Sequence, residues 1–247
     1  MLRPRFFTTR ALAAGALLTL EPEPSRHIAR SLRMQPGEAI CLFDGSDREA
    51  RARIEAIERN VVTARIEEVY ECSRESPLDL CLAIAVSRGD RVDTIVQKAT
   101  ELGVTSILPL ISERTGVRLD EKRLDKKCGH WQRIAASACE QCGRNRLPRV
   151  EQVAPLRAVL ERAAGADALR LLLHPDLGGP ALPAACPAVW LLVGPEGGFT
   201  DGEVDLAARA GFTGFGLGPR ILRTETAPLA AITLAQARWG DLPFGGS

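Results

Sequence analysis

From Leu78 onward, apolar runs alternate with stretches of helical period, and this alternation leaves few folds open. Leu80–Val86 is a continuous apolar run, the pattern of a strand covered on both faces. Asp90–Leu102 follows, with Val92, Ile95, Val96, Ala99 and Leu102 on one helical face and Gly103 placed as its C-cap. Further strands are predicted over Thr105–Ile111, Leu169–Leu173, Val189–Val193 and Phe212–Leu217. Helices are predicted from about Glu121 to Cys142, near Pro155–Ala163, over Asp201–Ala210 and from Thr224 to about Trp239. Strands alternating with helices specify an α/β domain with a mostly parallel sheet.

The beginning of the chain reads differently. His27–Arg33 is a short basic helix candidate, Ala39–Phe43 a strand and Asp44-Gly45 a hairpin-type turn. Glu49–Ile57 alternates well enough to pair back, and Val61–Val69 offers another strand. A small β-rich module over residues 1–72 is therefore expected ahead of an α/β domain over 77–247, with the boundary in Cys72–Pro77.

Apolar content of 45% and charged content of 26% are those of a soluble globular protein, and a net charge of +1 selects no partner. Between Arg88 and Arg149, however, 13 Lys/Arg face 8 Asp/Glu. That excess suits a polyanion, and a solvated helix face explains it as well. Seven cysteines, odd in number and without framework spacing, read as reduced thiols of a cytosolic protein. Cys139-Glu-Gln-Cys142 lacks a second pair, so packing on one helix face is favoured over metal or redox use. Three arginines before the apolar Ala11–Leu20 outline a signal peptide, but Glu21-Pro22-Glu23-Pro24 follows where a cleavage site should be. The segment is read as loop and strand, and no membrane span is expected.

Two glycine-rich turns carry the chemistry. Val193-Gly194-Pro195-Glu196-Gly197-Gly198 and Leu217-Gly218-Pro219-Arg220 each leave an apolar strand and open toward a helix, and Leu173-His174-Pro175 ends a third strand. Ligands of open α/β sheets sit beyond such strand ends. Neither turn continues as Gly-Lys-Ser/Thr, which excludes a P-loop, and Pro219 stands where a dinucleotide fingerprint needs its helix. Thr224 is a suitable N-cap for the last helix, with Pro228 in its first turns.

Val193–Thr200 and Leu217–Ala227 resemble the cofactor loops of SPOUT-class, trefoil-knotted methyltransferases. Within that class the chain is similar to the 16S ribosomal RNA uridine-N3 methyltransferases, the RsmE family, over nearly its whole length. Arg3-Pro4-Arg5-Phe6, His27-Ile28-Ala29-Arg30, Leu42-Phe43-Asp44-Gly45, Gln97–Gly103, Ser112-Glu113-Arg114 and Ala138–Arg146 all fit. Pro228, where a small residue is expected, and the loosely matched Glu21–Pro24 depart from the pattern.

The resemblance implies a PUA-like barrel before a knotted domain, S-adenosylmethionine as cofactor, no metal, and a cytoplasmic homodimer with its pocket near the dimer interface. It places Leu173, Gly194, Pro195, Glu196, Gly197, Leu217, Gly218, Leu222 and Thr226 around the cofactor. The substrate it implies is 16S rRNA of the small ribosomal subunit. Methylating uridine N3 requires loss of a proton, hence a base or a cation that stabilises the developing N3/O4 anion. Arg223 is the first choice for that cation, with Arg220 and Glu225 beside it; Glu225 as base is disfavoured next to an arginine. The alternative is that Arg220 and Arg223 only pair with Glu196 or Glu225. Arg3, Arg5, Arg10, Arg30 and Arg33 in the small domain, and Arg88, Lys98, Arg114, Arg144 and Arg146 in the large one, are expected to meet RNA phosphates. A tRNA target and a non-catalytic ribosome-assembly factor stay open as rivals.

Overall fold

The computed structural model describes residues 3–87, 89–116, 121–179 and 181–242. The chain divides into two compact units, Met1–Glu75 with Ala136–Leu147, and Ser76–Ala135 with Pro148–Ser247.

The first unit holds β1 (Arg5–Phe7), β2 (Leu17–Thr19), α1 (Pro22–Arg26), β3 (Ala39–Phe43), β4 (Arg48–Glu58) and β5 (Val61–Glu71). They form one sheet in the order β1-β3-β4-β5-β2, with β1 parallel to β3 and the other pairs antiparallel. Alternation sets the inner face: Ala50, Ala52 and Ile54 of β4 and Val62, Ala64 and Ile66 of β5 pack with Phe6, Ile40 and Leu42. The expected basic helix is real but begins earlier. Pro22 opens α1, a position where its missing N–H costs nothing. A π-helical turn over His27–Leu32 then ends at Arg33, whose φ of 53° is left-handed.

The returning segment 136–147 ties into this unit through buried charge. Arg5 donates to Glu49 at 2.5 Å, to the Arg144 carbonyl at 3.3 Å and to Asn145 Oδ1 at 2.6 Å. Arg144 forks onto Glu75, and both of these side chains are nearly inaccessible. Burial alone would raise the Glu49 carboxyl, but hydrogen bonds from Arg5, Tyr70 and Asn145 and the Arg5 charge hold it at about 2. A depressed carboxyl contributes stability that is complete above its ordinary value of 4.5 and is lost as pH falls toward about 2. The contribution is about 3 kcal/mol. Urea unfolding from pH 6 to 2 should show the wild type losing that much more than Glu49→Gln. Parallel pH profiles would remove Glu49 as the cause.

The second unit comprises β6 (Asp79–Ala85), α2 (Arg91–Glu101), β7 (Ser106–Ile111), the first part of α3 (Glu121–Cys142), β8 (Arg149–Val150), β9 (Ala154–Pro155), α4 (Leu156–Ala164), β10 (Leu169–Leu173), β11 (Ala188–Val193), α5 (Asp201–Arg209), β12 (Thr213–Phe215) and α6 (Thr226–Trp239). All sheet pairings are parallel, in the order β12-β10-β11-β6-β7-β8, with β9 also on β7. The unbroken apolar run of β6 is explained by cover on both sides. Leu80, Leu82 and Ile84 pack with α2, α3 and α6, while Cys81, Ala83 and Ala85 pack with α4 and α5. Among the described residues, no helix is long and apolar enough to cross a membrane.

Candidate functional site

In the second unit's sheet the chain runs from β6 to β7 and β8 on one side, then crosses to β10 on the other, and β11 fills the place between β10 and β6. A crevice beyond the carboxyl ends of strands at such a reversal is the general ligand site of open α/β sheets. Here a cavity of ≈ 330 Å³, within the range of small-molecule sites, lies beyond the carboxyl ends of β10, β11 and β12. Three turns build it: residues 173–176 after β10, 193–199 after β11, and 215–227 between β12 and α6.

Each turn is held by contacts remote in sequence. Arg114 Nη1 donates to the carbonyls of Gly197 (2.8 Å) and Phe199 (3.3 Å), bracing the second turn from the end of β7. Thr200 and Glu203 form a capping box at the start of α5. The buried Glu203 carboxylate also accepts from the Glu113 N–H at 2.8 Å, so one side chain joins two strand ends. Arg91, the first residue of α2, contacts both Glu196 and Glu225, the latter at 3.7 Å.

The glycines divide into two kinds. A Cβ on Gly194 would press on Phe199, and one on Gly216 would stand 2.7 Å from the Leu177 carbonyl. Both glycines let chain segments approach closely, and Gly194 also lines the cavity. Gly198 and Gly218, with φ of 69° and 90° and open space around their Cβ positions, are the ones that leave their turns bare at the cavity. The clash at Gly216 is with backbone, so Gly216→Ala should destabilise the second unit by about 1–3 kcal/mol. Thermal melting checks this, and an unchanged midpoint would refute the close approach.

Of the residues expected around a cofactor, Leu173, Gly194, Pro195, Glu196, Gly197, Leu217, Gly218 and Leu222 line the cavity. Thr226 does not; it is the first residue of α6, and its N–H donates to the Arg223 carbonyl at 2.9 Å. The helix starts two residues later than predicted, with Glu225 rather than Thr224 at the cap position and no side-chain cap bond. Of the expected catalytic residues, Arg220 lines the cavity, while Arg223 and Glu225 lie on the same turn outside it. Among the described residues neither Arg220 nor Arg223 pairs with a carboxylate, and Glu196 and Glu225 contact Arg91 instead.

The expected RNA-facing cations separate by burial. Arg3, Arg10, Arg30, Arg33 and Arg146 are exposed, Arg146 while paired with Asp47. Lys98 is half-buried on Glu101 at 2.8 Å. Arg5 and Arg144 correct the expectation: their guanidinium groups are enclosed with Glu49 and Glu75 and cannot reach a phosphate. Arg114 is exposed, but one of its nitrogens is committed to the glycine turn. Arg88 lies outside the described residues. The hydrogen bond with Cys142, then burial, pushes the Cys139 thiol up, away from the thiolate that metal or redox chemistry uses.

Sequence reasoning missed Arg91, whose partners lie far along the chain, and Asp176 in the cavity wall, while His174, Phe199 and Ile221 fall in turns it marked without being singled out. The Thr200-x-x-Glu203 spacing was a local signal for the capping box. Nothing local announces Arg91.

Residues 74–236 match the family model of the RNA methyltransferase domain, and residues 20–67 that of the RNA methyltransferase PUA domain. Ribosomal RNA small subunit methyltransferase E of Bacillus subtilis (strain 168) is 31% identical over 92% of this chain and 92% of its own. The same-named protein of Synechocystis sp. is 36% identical over 90% of this chain and 73% of its own. A putative methyltransferase from Legionella pneumophila, solved with bound S-adenosylmethionine, superposes with a TM-score of 0.94 at 42% identity, covering 98% of this chain and 100% of that one. Ribosomal RNA small subunit methyltransferase E from Neisseria gonorrhoeae, also bound to S-adenosylmethionine, gives 0.91 at 41% identity over 97% and 99%.

Proposed function

This chain belongs to the ribosomal RNA small subunit methyltransferase E family, and we propose on that basis that it methylates N3 of a specific uridine in 16S rRNA, using S-adenosylmethionine. One observation carries the reading: the turns that bear the family's motif enclose the ≈ 330 Å³ cavity, in a chain matching cofactor-bound relatives along nearly its full length.

The wall fits that cofactor. Leu173, Leu217 and Leu222 offer apolar surface to the adenine, and the backbone N–H groups of Gly194, Gly197 and Gly218 and the Pro195 carbonyl offer hydrogen bonds to its polar edge and ribose. Asp176 and Glu196 bring negative charge to the side of a cationic ligand. When bound, the cofactor supplies an electrophilic methyl group on a sulfonium.

This chain must hold uridine N3 in line with that methyl and accommodate the charge left when its proton departs. Arg223, which pairs with no carboxylate among the described residues, is the residue for the developing N3/O4 anion, and Arg220 in the cavity wall for the neighbouring phosphate. Glu225 is ill-suited as a base because Arg91 already occupies its carboxylate. The base must be splayed from its strand to reach the site. Exposed Arg3, Arg10, Arg30 and Arg33 of the PUA-like unit and Arg114 and Arg146 then serve the phosphates.

A knotted methyltransferase domain, a cytoplasmic location and a homodimer belong to the same reading. The dimer draws support from α6, which carries apolar residues on both sides and leaves Leu234 45% exposed. Labelled S-adenosylmethionine incubated with purified protein and small subunits, followed by mass spectrometry of the RNA, tests the assignment. N3-methyluridine at one site is expected. Label in tRNA alone, or on another atom, would overturn it.

A further inference from the structure

Arg91 belongs to none of the turns that form the cavity, yet it touches two of them. It stands at the start of α2, beyond the carboxyl end of β6, and its guanidinium reaches Glu196 through Nη1 and Glu225 through Nε. Glu196 lies on the turn after β11, and Glu225 closes the turn before α6. Those two turns also present Gly194–Phe199 and Leu217–Leu222 to the cavity. We propose that Arg91 is a positioning residue that draws both carboxylates to itself and so leaves Arg223 and Arg220 free for the RNA.

The argument is one of competition. Two carboxylates and two arginines that pair with no carboxylate among the described residues share the neighbourhood of one turn, where Arg223 is two residues from Glu225 and Arg220 five. Without a third cation, Glu225 would attract Arg223, and the group needed for a developing anion would be neutralised in advance. Arg91 is suited to prevent this because its planar fork can engage two carboxylates at once, which a lysine ammonium does less well. Each contact by itself is half-exposed and contributes little to stability. What the arrangement offers is a choice of partners, and with it alignment of the two turns.

This inference rests on the methyltransferase reading, and its test separates the two. Single-turnover methyl transfer to small subunits and calorimetric S-adenosylmethionine binding are measured for wild type, Arg91→Ala, Arg91→Lys and Arg91→Ala/Glu225→Gln, with melting temperatures as a folding check. Arg91→Ala should transfer methyl about tenfold more slowly, in the range of coupled neighbouring charges. Arg91→Lys should fall between it and wild type. The double variant should recover most of the rate, since no carboxylate remains beside Arg223 to capture it; simple loss of bracing would give no such recovery. A wild-type rate in Arg91→Ala, or a double variant no faster than the single one, would overturn the proposal. Absence of cofactor binding and transfer in the wild type would instead remove the reading beneath it.

Discussion

Replacing Arg223 by alanine is expected to slow methyl transfer roughly 10²- to 10³-fold while leaving S-adenosylmethionine affinity within about twofold of wild type. The magnitude is that of removing one preorganised partner of a developing anion. The selectivity follows from placement. Arg223 lies outside the cavity wall, so its side chain is not expected to grip the cofactor. Its backbone does structural work, since its carbonyl accepts from the N–H groups of Thr226 and Ala227 at the start of α6, but alanine keeps that carbonyl. Arg223→Lys should retain part of the rate, because the charge stays while the planar fork goes. Calorimetry and single-turnover kinetics on small subunits decide the matter. A tenfold weaker cofactor complex at full turnover would place Arg223 in the cofactor site and remove its proposed role.

Much of this architecture is legible in residue order. The periodicities of the second unit return β6, α2, β7, α3, α4, β10, β11, α5 and α6 within a residue or two, because each element has one strongly apolar face or two. The cavity is legible for a related reason: strand-end turns in an open parallel sheet converge on one edge. Partners are not. Glu225 beside Arg223 invites a local ion pair, yet it turns to Arg91 from another helix. Gly214 and Gly216 carry no local sign of their purpose either, which is to make room for Leu177 to cross β12. Which of two charges a side chain chooses, and which segment crosses a glycine, is fixed by three-dimensional neighbours that spacing does not encode. The same limit explains Arg5 and Arg144. Surface arginines and buried ones look alike in sequence, and only the positions of Glu49 and Glu75 tell them apart.

That distinction has the largest expected consequence for stability. Arg5→Ala would leave the Glu49 carboxylate, whose side chain is 6% exposed, with Arg74 and Asn145 at 3.3 Å as its remaining charged and amide partners. It would also strip a donor from Asn145 Oδ1 and from the Gly143 and Arg144 carbonyls, which tie residues 143–145 to the strands of the first unit. Breaking a buried pair from one side costs about 3–5 kcal/mol, because the abandoned charge stays buried. For a unit of this size that lowers the melting midpoint by more than ~10 °C. Arg10→Ala and Arg33→Ala remove equally basic side chains from exposed positions and should leave the midpoint unchanged. Their effect should appear in RNA affinity, as a uniform weakening across sequences and a salt dependence shallower by about one phosphate contact each. Calorimetric melting and RNA titration at several salt concentrations therefore sort the arginines of the first unit into two sets. An Arg5→Ala protein that melts like wild type and loses only RNA affinity would return Arg5 to the RNA-facing set, and Glu49 would then need another source for its low pKa.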